Sequence, residues 1–218
     1  MYVDIHTHHQ PCLHEKGVTV IRNLNVSDCI CCYSLDLQTN YSIGIHPWKI
    51  DGNLLDKHLR FMEQNIPFNC VKAVGECGLD KCCKTPWELQ LRAFRSQIDL
   101  SEKFNKTLII HCVKAFDELI ALRKTIQPQQ AWIIHGFRGN PQQAEQLIRQ
   151  NFLLSFGSHF NEETVRKISP NKFFLETDTT DISIQEVYRK VAKCIGLSEE
   201  SLITQIAQNC EKYCLIDA

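Results

Sequence analysis

His6 and His8 stand two residues apart in the stretch Val3-Asp4-Ile5-His6-Thr7-His8. In a β-strand, residues i and i+2 point to the same face, so this spacing aims two imidazoles at one point beyond a strand end. Histidine is the commonest metal ligand and also a common surface residue, so the pair alone decides nothing. Recurrence does. Glu76 ends Ala-Val-Gly-Glu, His111 ends Leu-Ile-Ile-His, His135 ends Trp-Ile-Ile-His and Asp178 ends Phe-Phe-Leu-Glu-Thr-Asp. Each puts a metal-capable group directly after an apolar run. Six such groups point to a metal centre built of His6, His8, Glu76, His111, His135 and Asp178.

Imidazole with carboxylate suits zinc, and also iron or manganese. Six ligands exceed the three that a catalytic zinc usually takes from protein. One or two divalent ions per chain are therefore expected, with zinc, magnesium and manganese as the candidates. Two ions roughly 3.5–4 Å apart can share a carboxylate bridge. Glu76 is the best bridge, because a carboxylate has two oxygens where imidazole offers one lone pair. Asp178 can bind metal while accepting a proton from the attacking water, so Glu76 and Asp178 are the expected catalytic pair. Asp4 and Glu176 alternate with ligands and read as hydrogen-bond anchors. His46, before Pro47 at a strand end, is expected to contact substrate or a metal-bound phosphate, against an equal reading as a neutral packed histidine. Trp48, Trp87 and Trp132 offer ring faces for bases, although Trp132 reads better as core and Trp87 as part of a helix.

Apolar runs alternate with amphipathic stretches and must position these groups. Strands are predicted at Tyr2–Thr7, Val18–Leu24, Cys29–Tyr33, Tyr41–His46, Val71–Glu76, Thr107–His111, Ala131–His135, Leu153–Phe156 and Phe173–Asp178, several apolar on both faces as parallel strands are. Helices are predicted at Asn53–Asn65, Pro86–Phe104, Phe116–Lys124, Pro141–Gln150, Asn161–Ile168, Ser183–Ile195 and Ser198–Gln208. The alternation implies a TIM-like (β/α) barrel, in which strand C-termini gather at the active face. Between Val18 and Ile45 no amphipathic helix of about ten residues is visible, and a complete barrel averages ~250 residues. The second β/α unit is therefore expected to be short.

Length and charge fit a single globular domain spanning residues 1–218. The chain has 218 residues, 24 Lys+Arg against 25 Asp+Glu, 44% hydrophobic residues and 22% charged, which excludes disordered and collagenous classes. The near-neutral balance argues against a broad basic nucleic-acid surface but allows a small phosphate-reading cleft. No membrane span or signal peptide is visible. The twelve cysteines, several in apolar runs, read as reduced thiols in a cytoplasmic protein. A structural zinc site at the Cys29/Cys32 pair would need a second well-spaced pair.

The ordered motifs resemble the TatD-type metal-dependent deoxyribonucleases, within the wider amidohydrolase-like barrels. The resemblance runs from Val3 to Asn209. It includes Gly44-Ile45-His46-Pro47, Gly75-Glu76-Cys77-Gly78-Leu79-Asp80, Ile110-His111, Ile134-His135-Gly136-Phe137 and Glu176-Thr177-Asp178. It implies phosphodiester hydrolysis of DNA by a monomer without an obligate partner, one metal on His6, His8 and Asp178, another on His111 and His135, and Glu76 spanning both. The family's Ser-Arg-Asp-Ala after the position of His111 is here Cys112-Val113-Lys114-Ala115. Its Cys-Phe-Ser-Gly is Gly136-Phe137-Arg138-Gly139, and its Ser-Pro-Tyr after the last aspartate is Thr179-Thr180-Asp181. Lys114 and Arg138 are therefore the expected replacements for a missing phosphate-binding arginine, against a reading as solvated surface residues.

Two rivals share the motif set. One is an amidohydrolase or lactonase acting on a small amide or ester, which a carbamylated lysine would favour. Lys72 is the only lysine within a strand leading to a ligand. The other is a non-catalytic metal-binding protein, favoured by the lost arginine and opposed by the intact ligand set.

Overall fold

The computed structural model describes residues 1–9, 17–29 and 35–217, with Cys29 by its backbone alone. Among the described residues the strands are β1 (Tyr2–Thr7), β2 (Val18–Asn25), β3 (Asn40–Gly44), β4 (Val71–Asp80), β5 (Thr107–Val113), β6 (Trp132–Ile134), β7 (Phe152–Phe156) and β8 (Phe173–Leu175). The helices are α1 (Val26–Cys29), α2 (Leu55–Asn65), α3 (Trp87–Phe104), α4 (Phe116–Ile126), α5 (Pro141–Arg149), α6 (Glu162–Lys167), α7 (Ile184–Ile195) and α8 (Glu199–Lys212). The strands form one sheet in the order β1 to β8. A parallel bridge between Thr7 and Asp178 joins β8 back to β1. This is the TIM-like barrel topology that the alternation predicts.

Three predicted elements differ, one of them β4, which runs on past Glu76 to Asp80. The strand expected at Cys29–Tyr33 is not found at its start, where Val26–Cys29 is a helical turn; residues 30–34 lie outside the described residues. The side chain of Asn25 accepts the backbone N–H of Ser27 at 3.2 Å, an Asx turn that lifts the chain out of β2. Among the described residues the second β/α unit holds one helical turn, Val26–Cys29; the rest of the segment in which a short unit is expected includes residues 30–34, outside the described residues. Strand β8 stops at Leu175 rather than Asp178. Asp178 has φ 55, a left-handed conformation that cannot continue a strand.

The chain divides into two compact units, Met1–Arg22 with Ile133–Ala218, and Asn23–Trp132. In the first, helices start where side chains satisfy free N–H groups. Asn140 accepts Gln143 N at 2.9 Å ahead of Pro141, and Asn161 accepts Thr164 N at 3.1 Å. Helix α7 buries Ile184, Val187, Tyr188, Val191 and Ala192, the i, i+3, i+4, i+7, i+8 stripe of a core-facing helix. The Tyr188 hydroxyl donates to Val3 O at 3.0 Å and accepts Val3 N at 3.2 Å, tying α7 to β1. Asn209 donates to Pro170 O and Phe173 O, both at 2.8 Å, tying α8 to the start of β8.

In the second unit all ten residues of β4 are buried. Gly78 has φ +140, and a Cβ there would collide with the His111 carbonyl oxygen. Only glycine allows that conformation, and the close approach sets Gly78 opposite His111 in the β4–β5 register. Trp132 is fully buried, its ring centroid 5.7 Å from that of Phe94. Trp87 opens α3 and is half-buried.

Candidate metal centre

In the first unit the C-terminal end of β1 meets the segment after β8. The Asp178 N–H donates to His6 O and the His8 N–H donates to Asp178 O, both at 2.9 Å. These bonds hold Asp178 Oδ1 3.7 Å from His6 Nε2 and 3.6 Å from His8 Nε2. One ligand atom from each of the three lies within 4.8 Å of the other two. His135, just past β6, packs its ring 4.4 Å from that of His6.

Buried carboxylates support these histidines. Asp4 accepts His6 N at 3.2 Å, Thr177 N at 3.1 Å and the Thr177 hydroxyl at 2.6 Å. Burial nevertheless pushes Asp4 up to about 7. Glu176 Oε1 accepts Gly136 N at 2.7 Å and faces His135 Nδ1 at 3.3 Å. Burial would raise the Glu176 carboxyl, but the His135 hydrogen bond and the charges of His135 and His6 hold it below its usual range.

In the second unit Glu76 Oε1 lies 3.1 Å from both His46 Nε2 and His111 Nδ1. The Glu76 N–H donates to Asn23 Oδ1 at 2.8 Å. On its other side His111 Nε2 is 2.9 Å from Asp80 Oδ2. The Trp48 indole N–H donates to the same oxygen at 2.6 Å, and Asp80 Oδ1 accepts Cys82 N at 2.7 Å. Burial works to raise Asp80, and the bonds from His111, Trp48 and Cys82 outweigh it, leaving the carboxyl below its usual range. Helix α3 braces the cluster through Gln90, which accepts Asp80 N at 2.8 Å and donates to Asp80 O at 3.0 Å.

These bonds assign the tautomers. An ionised carboxylate only accepts, so the neutral His111 ring gives its proton either to Asp80 from Nε2 at 2.9 Å or to Glu76 from Nδ1 at 3.1 Å, and the shorter contact favours Nε2 as the donor. By the same logic His135 donates from Nδ1 to Glu176 and keeps its lone pair on Nε2. A ring N–H given to a carboxylate is the arrangement that orients metal-ligating histidines. His46 differs. Its Nδ1 accepts the Trp48 backbone N–H at 3.1 Å, so the neutral ring carries its proton on Nε2, facing Glu76. His46 is therefore a donor, suited to an acidic oxygen and not to a cation. The donor set of both clusters fits divalent metal ions.

The structure thus brings His6, His8, His135 and Asp178 together in one unit, and His46, Glu76 and His111 in the other. Arg138 and Lys114 are exposed, in the segments after β6 and β5, and Lys114 has φ 53. Asp80, Asn23 and Gln90 had no role in the reading of the sequence. Asp80 carried a signal: it follows Glu76 by four on one strand, the spacing that returns a side chain to the same face. Asn23 and Gln90 carried none. Among the described residues eight cysteines are free thiols, Cys82 and Cys214 exposed and Cys70, Cys77 and Cys210 buried. The Cys29/Cys32 pair lies outside the described side chains. No helix among the described residues is long and apolar enough to cross a membrane.

Comparison with known proteins bears on this geometry. A family model described as "TatD related DNase" matches residues 3–214. An "Uncharacterized metal-dependent hydrolase YabD" from Bacillus subtilis is 30% identical over 147 residues, covering 63% of this chain and 57% of that protein. A "3'-5' ssDNA/RNA exonuclease TatD" from Pectobacterium parmentieri is 37% identical over 79 residues, 35% of this chain and 30% of that one. The chain thus spans well under two thirds of these relatives' length. The crystal structure of the TatD homologue YjjV from Escherichia coli superposes with a TM-score of 0.79 at 19% identity, covering 99% of this chain and 98% of that one.

Proposed function

The chain belongs to the TatD related DNase family, and from that premise we propose that it is a metal-dependent phosphodiesterase acting on nucleic acid. The observation that carries the reading is the pair of histidine–carboxylate clusters, His6/His8/Asp178 around the end of β1 and Glu76/His111 within β4 and β5. The proposed metal ligands are these five residues and His135. When bound, a divalent ion supplies a Lewis acid that acidifies water and offsets phosphate charge. The remaining roles fall to the chain's own side chains. Asp178 has an oxygen within 4 Å of two imidazoles and is placed to accept the proton of the attacking water. Glu76 is held ready by the His46 N–H and by its own N–H bond to Asn23. The contacts of Asp80 with His111 Nε2 and of Glu176 with His135 Nδ1 support an orienting role for both carboxylates. Arg138 and Lys114 are proposed to meet substrate phosphate.

The carbamate-lysine rival is disfavoured by the position of Lys72. It is buried near the start of β4, four residues before Glu76, which at about 3.3 Å per residue puts it roughly 13 Å down the strand.

The test is an assay of the chain with Mn²⁺, Mg²⁺ or Zn²⁺ on single-stranded DNA, duplex DNA, RNA and bis(p-nitrophenyl) phosphate. Metal-dependent cleavage abolished by EDTA is expected. Turnover of amide or lactone substrates with none of these phosphodiesters would replace the proposal with its rival.

A further inference from the structure

Among the described residues of the second unit, Trp48 is a large aromatic side chain that faces solvent while fixed to the candidate centre. It is 64% exposed, whereas Trp132 is fully buried. An exposed indole is normally free to rotate. This one is pinned by its N–H, which donates at 2.6 Å to Asp80, a carboxylate only 1% exposed and itself bonded to His111. The ring centroid lies 5.1 Å from that of His46 and 5.8 Å from that of His111, at interplanar angles of 83° and 77°. Neither imidazole therefore stacks on it in parallel. The backbone is fixed as well: Trp48 sits in the 3-10 turn Pro47–Lys49, capped by His46.

A flat apolar face held rigidly beside an acid–imidazole cluster has lost its conformational freedom before any ligand arrives, so stacking on it costs little further entropy. Every nucleobase offers a π-face, and base–aromatic stacking tolerates any sequence. We propose that Trp48 is a stacking platform for a nucleobase next to the scissile phosphate, so that the enzyme measures its cleavage position from a base and not from sequence. The proposal rests on the phosphodiesterase reading above and adds to it the side chain, Trp48, on which an unpaired base beside the scissile phosphate is seated.

The experiment uses a fluorescein-labelled single-stranded hexanucleotide and a set in which each nucleotide in turn is replaced by an abasic site. Cleavage is measured with metal, and binding is measured by anisotropy in EDTA. For the wild type, one abasic position should weaken binding and raise KM by about 5- to 150-fold, the range of a single base–aromatic stack. Trp48→Ala should lose a similar factor on the intact strand and show no further penalty at that abasic position. Trp48→Phe keeps a ring face without the N–H and should recover most of the binding. A Trp48→Ala loss that is equal on intact and abasic strands would overturn the proposal, as would Trp48→Phe behaving like Trp48→Ala. In either case the indole serves only to hold Asp80. A wild-type chain that neither binds nor cleaves any strand fails at the phosphodiesterase reading itself, a result distinct from both.

Discussion

Replacing Asp80 by Asn separates metal-site orientation from simple packing. The Asp80 carboxylate accepts three hydrogen bonds, from Cys82 N on Oδ1 and from His111 Nε2 and Trp48 Nε1 on Oδ2. An asparagine amide has one oxygen and one NH₂ at those positions. Whichever way it turns, its NH₂ faces at least one donor, Cys82 N or the His111/Trp48 pair. One buried donor left unpaired costs about 1–3 kcal/mol, which urea unfolding should report as lost stability. The His111 ring also loses its charged anchor. Loss of such a supporting partner typically weakens metal binding about 10- to 100-fold, which calorimetric titration with Mn²⁺ or Zn²⁺ can read. Trp48→Phe is the control: it removes one donor and leaves the carboxylate bound to His111 and Cys82, so metal affinity should hold. If Asp80→Asn loses stability but binds metal within about twofold of the wild type, Asp80 packs the site without orienting His111, and the tautomer argument fails.

Further outcomes follow from the same contacts. His111→Ala should lower the metal content of the purified chain, measured by elemental analysis, and an unchanged content would exclude His111 as a ligand. Arg138→Ala should leave metal content intact and reduce kcat/KM on a phosphodiester by roughly 10- to 150-fold, the worth of one charge-assisted hydrogen bond; wild-type kinetics would mark Arg138 as merely solvated. Gly78→Ala forces a side chain into a glycine-only conformation and against the β5 backbone. Strain and overpacking together should cost about 2–6 kcal/mol, lowering Tm by about 4–24 °C in a scanning calorimeter. An unchanged Tm would show that the β4–β5 approach relaxes freely.

Much of this protein is legible in its sequence, because local periodicity reports local structure. Tyr2–Thr7 reads as a strand and is one. The helices from residue 86 onward fall within a few residues of their predicted bounds, since their apolar stripes and their Asn and Ser caps are contiguous in the chain. The strand-end pattern picks out His6, His8, Glu76, His111, His135 and Asp178 for the same reason: each follows an apolar run, and a parallel sheet makes every such position equivalent. The hydrogen bonds that tie the site together leave no such trace. Asp80, Trp48 and His111 are far apart in sequence and meet through side-chain hydrogen bonds. Whether His46 donates or ligates depends on which of its nitrogens is already taken by the Trp48 backbone. Asp178 leaves the strand because its backbone turns left-handed to reach His6 and His8, and Cys29, the expected start of a strand, ends the helical turn Val26–Cys29. Periodicity along the chain determined where the candidate ligands sit. Proton placement and orientation are set by partners dozens of residues away, and only the tertiary structure decided those.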